Sequence, residues 1–184
     1  SCLEPELLEE LPFSLEGGQP RCYDPVLGGL SSGPGWSYAK TTSGTLVAWT
    51  PAGQVEGSAP SAGLSWRSSW GELAGVALGA EDLLVLTRGG GLRAIDVTTG
   101  HSRAEVALAL RGPGQPWCCA ASRAGSRSER WLISTGARLG LYDERLEPIW
   151  TRALPGLRRP ACDGRDLVAA DETGARSLDV ATGE

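Results

Sequence analysis

The sequence predicts an all-β fold made of small antiparallel sheets stacked in series. Three observations predict it. A phrase, Gly91-Leu92-Arg93-Ala94-Ile95-Asp96-Val97-Thr98-Thr99-Gly100, returns as Gly174-Ala175-Arg176-Ser177-Leu178-Asp179-Val180-Ala181-Thr182-Gly183. Degenerate copies at Ala137 to Asp143 and Gly44 to Gly53 set a period of about 40–50 residues. Short apolar runs bounded by turn residues fill the intervals, as strands do. Finally, the chain has 26 Gly and no Asn, so glycine carries the left-handed turn positions. This period, built from short strands, predicts β-propeller-like repeats, about four blades.

The elements follow in order. Residues 1–22 read as a leader, with a short helix over Pro5-Glu6-Leu7-Leu8-Glu9-Glu10-Leu11, Pro12 ending it and Gly17-Gly18 as a joint. Residues 23–184 carry the repeats. Aligned on the turn, Thr50, Asp96, Asp143 and Asp179 fall in register. In the second repeat, Leu83 to Thr87 is a buried strand with no polar interruption, Leu92 to Val97 follows, and Ala104 to Leu108 alternates like an outer strand. The third has Trp131 to Ser134, Leu139 to Tyr142 and Glu147 to Trp150. The fourth has Leu167 to Ala170 and Ala175 to Val180. Trp36 to Ala39 and Thr45 to Trp49 are assigned to the matching strands of the first. Gly75 to Leu78 and Trp117 to Ala121, with their small residues, suit inner strands near a crowded axis. The polar run Ser122 to Arg130 reads as an exposed hairpin loop. The sequence stops at Glu184, after a Thr-Gly turn where another strand is expected. The ring is thus expected to be part of a larger one, or completed by another chain or by the N-terminal segment.

The strand-Asp-x-x-Thr-Gly phrase at Asp96 and Asp179, with Asp143 and Trp150 as a partial match, resembles the quinoprotein-like (PQQ-like repeat) propellers. Thr50 departs from that pattern. The WD40 class, the nearest competitor, has Gly-His and Trp-Asp signatures that are absent. The resemblance implies a fold rather than an activity, because such propellers include enzymes, assembly factors and sensors. Locally, an Asp at a strand end accepts bonds from N–H groups two or three residues on, and Gly closes the turn.

Composition excludes some roles. The net charge is −5 and no basic stripe appears, so nucleic acid has no electrostatic support. No apolar run reaches membrane-span length. A single His, His101, and cysteines without zinc-like spacing leave no zinc site and no Ser-His-Asp set. Gly89-Gly90-Gly91 lies between strands and is a turn, not a phosphate loop. No metal site and no cofactor are expected.

The remaining candidates are few. Cys118-Cys119 could close a vicinal disulfide, which the resemblance would set against a quinone cofactor; the bland alternative is buried cysteine in an inner strand. One of the pair could instead bond Cys162, and Cys2 could bond Cys22, which would imply an oxidising compartment. Cys2 is also a candidate lipidation site, which would anchor a bacterial protein in the periplasm or at the cell surface. Trp66, Arg67 and Trp70, read as a Ser-rich loop, form a candidate partner contact. Arg93 and Arg176 share a repeat position and are expected to pair with carboxylates of neighbouring blades. The expected function is a non-catalytic propeller scaffold or assembly component that binds another protein. The alternatives are a fragment of a quinoprotein-type redox enzyme and a ligand-sensing propeller.

Overall fold

A computed structural model describes residues 35–112, 114–121, 129–154, 161–162, 166–171 and 174–184. The predicted helical leader over 1–22, with Cys2 and Cys22, lies outside them, as does 122–128 of the predicted polar loop.

The first sheet is β1 (Ser37–Lys40), β2 (Leu46–Trp49), β3 (Gln54–Ala59) and β4 (Leu64–Ser69). The second is β5 (Leu73–Leu78), β6 (Asp82–Thr87), β7 (Gly91–Asp96) and β8 (Ser102–Ala107). The third is β9 (Trp117–Ala120), β10 (Trp131–Ser134), β11 (Arg138–Tyr142) and β12 (Pro148–Ala153). The fourth is β13 (Ala161–Cys162), β14 (Asp166–Asp171) and β15 (Gly174–Asp179). Each is an antiparallel meander whose neighbours are consecutive in the chain.

The sheets stack face to face, and side-chain alternation explains how. Along β6, Leu83 and Val85 turn toward the first sheet, where they join Val47, Val55 and Ile95 in one core. Leu84 and Leu86 turn the other way and join Trp131, Ile133 and Tyr142 of the third sheet. Both faces are covered, so β6 reads as an unbroken apolar run. The next junction repeats the scheme: Leu132, Leu139 and Leu141 meet Leu167, Leu178 and Val180 of the fourth sheet. Among the described residues no core cluster joins the fourth sheet to the first.

The repeat phrase is a turn, as its chemistry predicts. Asp96 Oδ1 accepts from the N–H groups of Thr98 and Thr99, both at 2.9 Å. Asp179 Oδ1 does the same for Ala181 at 2.8 Å and Thr182 at 2.9 Å. Gly100 and Gly183 close these turns at φ +74° and +72°, where a side chain would be strained.

The first repeat is shifted by one strand from the predicted alignment. Thr50 lies between β2 and β3, whereas Asp96 lies between β7 and β8. The counterpart of Thr50 is Thr87, between β6 and β7. Thr50 Oγ1 accepts from Gln54 N–H at 3.2 Å, and Thr87 Oγ1 accepts from Gly91 N–H at 2.9 Å. The strands assigned to Trp36–Ala39 and Thr45–Trp49 are therefore the first and second of their sheet, counterparts of β5 and β6. Ala59 holds the Asp position, by its place two residues after Gly57 of the Gly57–Trp66 pair. The stretch around Trp66 is strand β4 rather than a loop. The inner-strand assignments for Gly75–Leu78 and Trp117–Ala121 match β5 and β9.

Candidate functional site

Odd-to-even strand connections all leave one end of the sheets. There, between the second and third sheets, lies a cleft of about 640 Å³ lined by Ala80, Glu81, Asp82, Arg103, Glu129, Glu144 and Arg145. The β5–β6 turn supplies residues 80–82, β8 supplies Arg103, and the third sheet supplies Glu129 and the β11–β12 turn.

Glu129 binds across the junction. Its Oε1 accepts from the backbone N–H of Glu81 at 2.6 Å and of Asp82 at 3.2 Å. Gly79 permits this approach, since a Cβ there would lie 1.8 Å from Glu129 Oε2. Arg103 holds the opposite wall. It pairs with Asp96, lies 3.1 Å from Asp82 Oδ1 and 3.9 Å from Glu81, and donates to Asp82 Oδ2 at 3.3 Å. Two buried oxygens, Asp82 Oδ1 and Glu129 Oε2, lack an aligned donor. For Oδ1 the nearby guanidinium supplies charge but not hydrogen-bond geometry.

The electrostatics follow. Burial pushes the Asp82 carboxyl up to about 6; Arg103 opposes the shift, and Glu129, Asp96 and Glu81 add to it. Burial also raises Glu129, against the backbone donors of the turn. At Asp96, burial works upward, but the bonds from Arg103 and Thr99 outweigh it and hold the carboxyl below its usual value. The cleft is a charged, acid-rich wall in which the Asp82 carboxyl gives up its proton only near pH 6. Sequence reading missed it, because Asp82 and Glu129 look like ordinary loop charges until the fold joins them.

The residues singled out by sequence are placed elsewhere. Trp66 lies between Gly57 of its own sheet and Gly100 of the next, and its indole donates to Val97 O at 2.8 Å. Trp150 repeats this on Gly183, donating to Val180 O at 3.0 Å. Arg67 pairs with Glu56 at 3.2 Å. Trp70 packs on the first junction, with Arg93 Cζ 6.0 Å from its ring centroid. Arg93 bonds Glu105 at 2.7 Å on the adjacent strand of its own sheet, not a neighbouring blade. Cys118 and Cys119 point to opposite faces of β9, Cys118 into the core with the second sheet and Cys119 against the core with the fourth, and they form no bond with each other. Cys162 lies on β13. Among the described residues no cluster of His, Cys, Asp and Glu could hold a metal ion, and no helix is long and apolar enough to cross a membrane.

Similar arrangements occur in solved structures. BamB from Moraxella catarrhalis superposes with a TM-score of 0.53 at 20% identity, covering 79% of this chain and 49% of that one. The WD40 domain of Toxoplasma gondii coronin gives 0.56 at 13% identity, covering 79% and 41%. BBS1N, solved in complex with ARL6DN, gives 0.54 at 15% identity, covering 72% and 42%. The fold is that of a β-propeller. The chain spans less than half the length of each of these propeller structures. No family model and no curated protein matches the sequence.

Proposed function

We propose that this propeller chain is a non-catalytic protein-interaction scaffold, and that the cleft between its second and third blades contacts the partner. The cleft is the observation that carries the reading. The blades use their faces on one another, whereas the turn-bearing end presents charged side chains of two blades around one opening. Such a surface selects partners by charge complementarity. Glu144 and Arg145 stand exposed at its rim and support no core contact.

The test is affinity capture with the purified full chain, beside Glu144→Lys and Arg145→Glu variants of unchanged thermal stability. Loss of the same captured protein by both variants supports the reading. Equal capture by all three overturns it.

We propose that Cys2, which lies outside the described residues, carries a lipid that anchors the protein in the bacterial periplasm or at the cell surface. Detergent-phase partitioning of the natural protein, lost on Cys2→Ala, is the expected result.

A further inference from the structure

We infer that an arginine side chain of the partner protein enters the cleft between the second and third blades, its guanidinium set between Glu81 and Glu144 above the buried pair Asp82 and Glu129. The inference rests on the reading of this cleft as the surface that contacts the partner.

Charge balance is the first observation. The described lining residues set four carboxylates against two guanidiniums. One of the two, Arg103, is already shared among Asp82, Asp96 and Glu81. The other, Arg145, stands at the exposed rim. The cleft is short of positive charge, and its volume of about 640 Å³ leaves room for another cationic group.

The floor of the cleft is the second observation. Asp82 and Glu129 are only 2% and 7% exposed. Glu129 uses Oε1 on the turn amides of Glu81 and Asp82, while its Oε2 has no donor. Asp82 Oδ1 also lacks an aligned donor. Burying such oxygens is costly, and a nearby cation offsets that cost through a field that little water screens. Burial, together with Glu129, Asp96 and Glu81, pushes the Asp82 carboxyl up to about 6 even with Arg103 beside it. A further cation would draw it back down.

The chemistry favours arginine. Among the described residues the acids do not gather as metal ligands do. A guanidinium is weakly hydrated, stays charged when buried and offers several N–H donors to more than one carboxylate; an ammonium is more strongly hydrated and loses its proton more readily. Both wall carboxylates, Glu81 and Glu144, are exposed and can turn toward it.

The test titrates the isotope-labelled full chain with N-acetyl-argininamide, N-acetyl-lysinamide or the neutral N-acetyl-glutaminamide, read by backbone amide shifts. Saturable shifts centred on Glu81, Asp82 and Glu144 are expected with the arginine probe, weaker binding with the lysine probe and none with the neutral one. Glu129→Gln should weaken arginine binding about tenfold, and Glu81→Gln, whose exposed side chain spares the fold, about threefold. Glu72→Gln removes an exposed charge between the first two sheets and should change nothing. The arginine probe should also release the protein captured by the full chain. No saturable shift, equal binding of lysine, or parent-like binding by Glu81→Gln would overturn the inference. Capture that depends on Glu144 and Arg145 but ignores the arginine probe overturns this inference alone and leaves the scaffold reading standing. Capture unaffected by every cleft variant overturns both.

Discussion

The junction between the second and third blades differs from the two that flank it. At the flanking junctions an outer-strand Trp lies over a turn glycine: Trp66 over Gly100, and Trp150 over Gly183. At the middle junction the register gives Ala104 the Trp position, paired with Ala94 as Trp66 is with Gly57 and Trp150 with Leu141. The turn residue is then Leu146, whose N–H returns to Asp143 O at 3.0 Å. Leu146 sits at φ +62° and is buried in the core that Ala104 also touches. Large meets small in each case, with the roles exchanged. The middle junction also carries Asp82, Glu129 and Arg103, and a buried Trp131 whose indole N–H has no acceptor. Blade stacking thus needs matched volumes at this corner, not a fixed residue, and the junction without its Trp holds the buried carboxylates Asp82 and Glu129.

The largest effect should come from removing a docking Trp. Trp150→Ala empties the space over Gly183 and strips Val180 O of its donor. We expect a loss of about 4 kcal/mol, read by urea unfolding. Trp66→Ala should cost a similar amount. A loss below about 1 kcal/mol at either site would erase the distinction between the junctions.

Part of this comparison was legible in the sequence. The Asp-to-Gly phrase announced its turn because an Asp carboxylate and a left-handed glycine act within a few residues. The unbroken run Leu83 to Leu86 announced a strand covered on both faces. The frame of the first repeat was not legible. Thr50 and Asp96 both hold a turn through a side-chain oxygen and both precede a glycine, so alignment on that feature slid by one strand. The Trp66–Gly100 contact was hidden for another reason. Trp66 bonds a carbonyl 31 positions away, and no local pattern encodes that pairing. Glu129 and Asp82 lie 47 positions apart, and their burial exists only once two blades meet.

That burial predicts an effect peculiar to the middle junction. The Asp82 carboxyl titrates near 6 in the folded chain against 3.8 when exposed. The folded state therefore holds an extra proton between those values. The resulting stabilisation, about 3 kcal/mol, is complete below the exposed value and is lost as pH rises through 6. Asp96, held low by Arg103 and Thr99, acts in the opposite sense and only as pH falls below its ordinary range. Comparing unfolding free energies of the parent and Asp82→Asn from pH 4 to 7 separates the two. The parent should lose stability relative to the variant across that interval. Parallel curves would remove the buried proton from the account.

The smallest effect tests the exchange of volumes directly. Leu146→Gly gives up a buried side chain but frees a left-handed backbone, so the net cost should be about 2 kcal/mol. Ala104→Trp alone forces an indole against Leu146 and should destabilise by a similar amount. Combined, the two substitutions reproduce the flanking arrangement, with Trp on the outer strand and Gly in the turn. Their costs should not add: the double variant should recover at least about 1 kcal/mol relative to the sum, a coupling that a double-mutant cycle reads out. Simple additivity would mean that Leu146 and position 104 do not share one space. The size contrast among the three junctions would then be a coincidence of sequence rather than a packing rule.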